Sequence, residues 1–263
     1  MIKTYSIPAN KFELQIRFAD KNNIDLNYRI PELSVQMIGD NLNRYGGFRT
    51  LEGQQLWLGC PLVLHRRCLN PMFEISNEVA YNSRMFQKTI KPESESGLSI
   101  DESFWLDVKG KMRGKGDQNV NEQNEAAVLL FEKALESSED LPDIYIISPF
   151  KKVAYEIRGR VLSVISKHKS DIYETVKKEW VNTHCGTIHT FQGKEAKEVI
   201  LVLGCDSAIG SGAAKWVGQK PNIINVAVSR AKYRICIIGD YDQWVKVPNV
   251  SIACKHLKRV SPK

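Results

Sequence analysis

Residues 186–204 read GTIHTFQGKEAKEVILVLG, and the Gly193-Lys194 pair beside an apolar run raises the question of a phosphate-binding loop. Such a loop needs Gly, four residues, Gly-Lys and then Ser or Thr to hold magnesium, and its strand comes first. Here Glu195 follows the lysine, Gly186 is too far upstream, and the apolar run comes after the pair. The pair is therefore not a triphosphate cradle of that kind. A second candidate is Asp107-x-Lys109 in ESFWLDVKGK, with Asp101 or Glu102 upstream, the tail of a metal-dependent nuclease signature. Two-metal cleavage needs clustered carboxylates, and the triplet alone is too common to specify them. His184-Cys185 and His189 offer one thiol and scattered imidazoles, short of a tetrahedral ligand set, so no metal site is expected.

The elements that must position these residues are legible from Leu56 onward. LWLGCPLVLHRR reads as a short apolar strand, and NPMFEISNEVAYNSRM as a helix capped by Asn70 with Pro71 at its first position. SFWLDVKGK alternates like a strand, and GKMRGKGDQ is a loop. NVNEQNEAAVLLFEKALESS is an amphipathic helix; DIYIISP is a buried-type strand that leads into a helix over FKKVAYEIRGRVLSVISKH. GTIHT reads as strand into loop, EVILVLGC as a strand, NIINVAVSRAK as a helix and RICIIGD as a strand. Before residue 56 one short helical pattern (Leu33, Met37, Ile38, Leu42) stops at Gly46-Gly47. Apolar strands alternating with helices specify an α/β fold whose parallel sheet is covered on both faces. Ligands then sit at the carboxyl ends of the strands, in the loops after Ile147, Thr190, Cys205 and Ile238.

A chain of 263 residues buries one sizeable core, and 43% hydrophobic with 25% charged residues is an ordinary globular balance. No apolar run reaches the ~20 residues of a membrane span, and the first residues lack a signal-peptide core. Six dispersed cysteines without a C-x-x-C pair point to reduced thiols and a cytoplasmic protein. The five tryptophans (57, 105, 180, 216 and 244) are dispersed and read as core residues. Charge is uneven: residues 1–150 hold 17 Lys/Arg against 21 Asp/Glu, whereas residues 151–263 hold 20 against 9. A basic half of this kind attracts a phosphate-rich partner, or is a solvated lysine surface.

Four segments occur in a telling order: LVLHRRCLNPMF (62–73), IYIISPFKKVA (144–154), GTIHTFQGKEAKEVILV (186–202) and NIINVAVSRAKYRICIIGD (222–240). Together they resemble the second motor domain of superfamily 1 helicases. The branch that they resemble is the one containing the nonsense-mediated-decay RNA helicase and the eukaryotic helicase–nuclease of Okazaki-fragment processing. HRRCLNP carries one residue more than the family pattern before its proline; the other three segments match nearly residue for residue. NEQNEA also looks like the family's helix start. The resemblance covers roughly residues 34–240 and divides the chain into an N-terminal segment (1–55), a motor domain (56–250) and a C-terminal tail (251–263).

The resemblance implies a RecA-like fold of the P-loop type, a mostly parallel sheet with helices on both faces, lacking its own phosphate loop. It places Arg230 as an arginine finger, a planar fork that cannot lose its charge, against the alternative of pairing with a core-edge carboxylate. Arg67 is the matching candidate in HRRC, with Arg66 as its competitor. Gln192 would lie near the γ-phosphate, Gly193 would allow close backbone approach, and Glu195 would reach the ribose or the arginines; Lys194 reads as solvated. Ser148, Pro149 and Phe150, with Thr187, His189 and Thr190, would contact single-stranded DNA or RNA without reading its sequence. ATP and Mg2+ would be bound mainly by a first motor domain, in cis or in trans, whose signatures do not occur before residue 34. The chain alone is then not expected to hydrolyse ATP. The alternatives are a stand-alone, non-catalytic domain that binds nucleic acid or a partner, and the nuclease considered above.

Overall fold

Short runs that are apolar at every position become strands buried on both faces, because neither side of the pleat carries polar groups for water. The computed structural model describes residues 21, 39–40, 42–51, 54–59, 63–91, 97–114, 116–191, 193–208, 211–219 and 221–262. The chain divides into two units, residues 1–63 and 64–263. In the first, β1 (Gly46–Leu51) pairs antiparallel with β2 (Gln54–Gly59). Phe48 and Trp57 stand opposite each other and meet edge to face at 5.2 Å. Gly46 and Gly47, read as a helix stop, are the first residues of β1; Leu33, Met37 and Ile38 lie outside the described residues.

The second unit opens with β3 (Leu64–His65), α1 (Met72–Tyr81), β4 (Phe86–Gln87), β5 (Phe104–Asp107) and α2 (Asn121–Glu136). Then follow β6 (Ile144–Ser148), α3 (Lys151–His168), α4 (Glu174–His184), β7 (Cys185–Thr187) and a 3-10 turn, Ile188–Phe191. It continues with β8 (Ala196–Val202), α5 (Ser211–Gly218), α6 (Pro221–Val228) and β9 (Ala231–Gly239). It closes with α7 (Tyr241–Trp244), α8 (Val250–His256) and β10 (Lys258–Val260). Six strands form one sheet in the order β10-β5-β9-β8-β6-β7, every pair parallel. The sheet is flanked by helices, as in a RecA-like fold. Its centre is dry: Val199, Ile200, Leu201, Val202, Ile235, Cys236 and Ile238 are wholly buried.

Three details differ from the sequence reading. Pro71, not Asn70, occupies the cap of α1, and the Asn70 amide donates to Glu74 Oε1 at 2.8 Å. β5 does not alternate; Trp105, Leu106 and Asp107 are all buried, the pattern of a parallel strand covered on both faces of its sheet. The last residues, set apart as a tail, carry α8 and β10, and β10 joins the sheet beside β5. The motifs also divide between the two ends of the sheet. Glu195 and Arg230 immediately precede β8 and β9, at their amino ends, whereas Ser148 and Thr187 are the last residues of β6 and β7.

Candidate functional site

At the amino ends, α6 finishes at Val228, and a turn of two residues delivers Arg230 to the start of β9. The Arg230 side chain is buried, 4% exposed, and its donors face inward. Nη1 donates to the carbonyls of Phe191 (3.1 Å) and Lys194 (2.7 Å), Nε to Val226 O (2.9 Å), and Nη2 to Ser229 Oγ (3.0 Å). A guanidinium has five N–H donors, so one has no partner among the described residues. Arg230 therefore clamps residues 191–194, the loop that brings the chain to β8. Gly193 turns that loop at φ +89, a conformation L side chains rarely adopt. Gln192 lies outside the described residues.

Glu195 leaves this loop exposed, between two further cations. Lys232 Nζ lies 2.6 Å from Oε1 and Arg67 Nε lies 3.3 Å from Oε2. Arg67 is thus the member of the HRRC pair that joins the cluster; Arg66 is exposed and has no partner among the described residues. The Lys232 hydrogen bond, together with the charges of Lys232, Arg67 and Arg230, holds the Glu195 carboxyl below the usual range. Burial first, and then the like charge of Arg67, push Arg230 down to about 10. Three cations round one carboxylate make a site that favours an added anion. Sequence reasoning missed Lys232, which stands two residues past Arg230 at the start of β9. Lys194, read as solvated, is exposed with its Nζ 5.6 Å from the centre of the Phe191 ring.

At the carboxyl ends of β6 and β7 the surface is open. A cavity of about 490 Å3 is lined by Pro149, Phe150, Lys151, Thr187, His189, Ala213 and Trp216. A second, of about 570 Å3, shares Lys151 and Thr187 with it and adds Thr190, Lys152, Tyr155 and Arg158. Ser148 is wholly buried beneath them, its Oγ accepting from Phe150 N at 3.2 Å, so it shapes the turn and does not face the groove. Thr187 and Thr190 join hydroxyl to hydroxyl at 2.8 Å. Of the tryptophans, Trp105, Trp180 and Trp244 are core residues as expected, but Trp216 is 45% exposed.

The nuclease candidate has its groups engaged elsewhere. Arg259 binds Asp107 Oδ2 through Nη2 at 2.5 Å and Nε at 3.0 Å, Tyr241 N donates to Oδ1, and Lys109 pairs with Asp242 at 2.7 Å. Among the described residues, one group of three metal-ligand types lies within reach of an ion: Glu132, Glu136 and His168. His168 Nε2 is hydrogen-bonded to Glu132 Oε1 at 2.6 Å, its Nδ1 lies 3.8 Å from Glu136 Oε1, and Lys167 also binds Glu132 at 3.4 Å. Cys68, beside Arg67, is buried and its thiol is pushed up to about 12, so it offers no nucleophile.

A family model described as an AAA domain matches residues 60–242, more than half of the chain. The chain belongs to this AAA domain family. A comparison with curated proteins finds no match. Both ends of the sheet described above fall within the AAA domain, whereas α8 and β10 lie beyond the matched residues. At the level of the family the domain is helicase-like, of the nucleotide-dependent motor type. No helix among the described residues is long and apolar enough to cross a membrane.

Proposed function

We propose that this chain is the C-terminal motor domain of an ATP-dependent DNA or RNA helicase of superfamily 1, of the nonsense-mediated-decay and Okazaki-fragment branch. One observation carries the reading: Arg67, Arg230 and Lys232 gather round the single carboxylate of Glu195 at the amino ends of β8 and β9. The cluster fits a polyphosphate, because an arriving anion relieves the like-charge repulsion between Arg67 and Arg230. ATP, when bound, supplies the phosphoryl group that is transferred. Arg67 and Lys232, with 36% and 37% of their side chains exposed, are the groups that would meet its oxygens, and Glu195 holds both in place beforehand. Arg230 sets the 191–194 loop and keeps one N–H for an anion. Gln192 and Gly193 belong to the same loop by their position in the motif.

The cluster does not fit magnesium. Among the described residues its one carboxylate is already held by two cations, so no step runs through the metal here. In this reading magnesium and most of the nucleotide are held by a first motor domain, in cis or in trans, and the isolated chain is inactive. Single-stranded DNA or RNA crosses the carboxyl ends of β6 and β7, over Pro149, Phe150, Thr187, His189 and Thr190. The five described cysteines are free, which agrees with work in a reducing cytoplasm.

The four internal bonds of Arg230 favour a second reading, a stand-alone domain that binds nucleic acid or a partner without catalysis. Turnover separates the two. In a motor completed by a first domain, Arg67→Ala should lower nucleic-acid-stimulated kcat by ~10³-fold while ATP affinity stays nearly unchanged. Unaltered turnover would leave the binding reading in possession.

A further inference from the structure

Trp216 lies on α5, outside the four motifs, and its ring meets Phe150 at 5.9 Å while 45% of the residue stays exposed. Phe150 itself is 8% exposed, so it backs the indole and leaves the outer face to the cavity. The side of the groove next to this apolar wall is cationic. Lys151, shared by both cavities, is exposed and has no partner among the described residues. Arg158 donates Nε to Cys185 O at 2.7 Å, which fixes the guanidinium edge against Gly186. A Cβ at Gly186 would lie 3.3 Å from Arg158 Nη2 and 2.8 Å from the Phe191 ring. Glu156, the one acid lining the groove among the described residues, is offset by Arg160 at 2.9 Å and Arg113 at 3.4 Å. Lys151 also opens an 18-residue helix that has no side-chain cap and no acid in its first turn, so its end carries positive character.

Flat apolar surface beside fixed positive charge is complementary to one chemistry, an unpaired base carrying its phosphate. We infer that Trp216 is a stacking platform for such a base and that Lys151, Lys152 and Arg158 hold the adjoining phosphates. The inference rests on the reading of this face as a nucleic-acid track, and adds the residues outside the motifs that grip the strand. A base inside a duplex is already stacked on both faces and cannot enter. Binding is therefore selective for single strands and tolerant of sequence. Because stacking is made by a ring and not by a hydroxyl or amide, phenylalanine at 216 substitutes for the indole.

The test is fluorescence anisotropy of the full chain with a labelled dT12 strand, an rU12 strand and a blunt duplex, with free AMP as a competitor. Trp216→Ala should weaken single-strand binding about tenfold, within the range for losing one stacked base, and Trp216→Phe should recover most of it. Lys151→Gln should reduce the slope of log Kd against log salt by about 0.7, one phosphate contact. Wild-type single-strand binding that Trp216→Ala leaves unchanged overturns the platform while the nucleic-acid reading survives. Binding of AMP alone, lost in Trp216→Ala, upholds the platform with a free nucleotide as its ligand and overturns the strand track. Binding of neither strand nor AMP by the wild type overturns both.

Discussion

The two ends of the sheet differ in how they hold charge. At the amino ends of β8 and β9 the three clustered cations each have a partner inside the chain: Arg67 and Lys232 share Glu195, and Arg230 is bound by backbone carbonyls. At the carboxyl ends of β6 and β7 Lys151 is unpartnered among the described residues, His189 is exposed and Trp216 is half-exposed. A pre-bonded cluster resists an anion until something reorganises it, whereas an open groove is ready for its ligand. A motor whose nucleotide site needs a second domain, yet which meets its strand directly, requires that asymmetry.

Breaking the amino end should have the largest effect. Arg230→Ala removes four hydrogen bonds and the clamp on residues 191–194, so turnover in a completed motor should fall by ~10³-fold. Arg230→Lys should not restore it, since one ammonium cannot reproduce the planar fork that spans the carbonyls of Val226, Phe191 and Lys194. Amide exchange in the 191–195 loop, measured by mass spectrometry, should accelerate in both variants. If the loop stays protected in Arg230→Ala, the clamp is wrong.

Backbone changes sharpen the contrast at a smaller scale. Gly193→Ala places a side chain at φ +89 and should cost ~1–2 kcal/mol in chemical denaturation, although open space surrounds the position. Gly186→Ala meets the Phe191 ring at 2.8 Å and should cost ~1–3 kcal/mol by overpacking, with the groove disturbed as well. Equal stability of either variant with wild type would remove the corresponding constraint.

The smallest effect is a pH dependence. Glu195 has its folded carboxyl lowered, chiefly by Lys232, so its pairing contributes stability above the ordinary carboxyl value of about 4.3. That contribution is lost as pH falls through the lower folded value. With 37% of the side chain exposed, solvent screening keeps it below about 1 kcal/mol. Glu195→Gln should flatten the stability profile below about pH 4.3, and an unchanged slope there would contradict the pairing.

What was legible in the sequence follows from the range of the forces involved. The strands around Ile146, Ile200 and Ile237 were readable because double burial demands unbroken apolar runs. The motif residues were readable by type and spacing, but not which end of the sheet each would occupy. β10 was missed because KRV carries little strand signal alone; it is an edge strand paired with β5 and tied through Arg259 to Asp107, 152 residues away. The choice between Arg66 and Arg67 depends on where Glu195 lies, a contact distant in sequence. Trp216 was misread for a similar reason: a lone tryptophan carries the same signal in a core and on a surface, and only the position of α5 beside Phe150 separates them.

The central claim is that the amino ends serve the nucleotide and the carboxyl ends the strand. Its most direct test compares Arg67→Ala and Trp216→Ala in one completed motor, measuring stimulated kcat at saturating strand and strand Kd for each. The account predicts that Arg67→Ala loses ~10³-fold in kcat with an unchanged Kd, while Trp216→Ala weakens the strand about tenfold and keeps kcat. Both variants losing the same parameter, or Arg67→Ala turning over ATP like wild type, would contradict it.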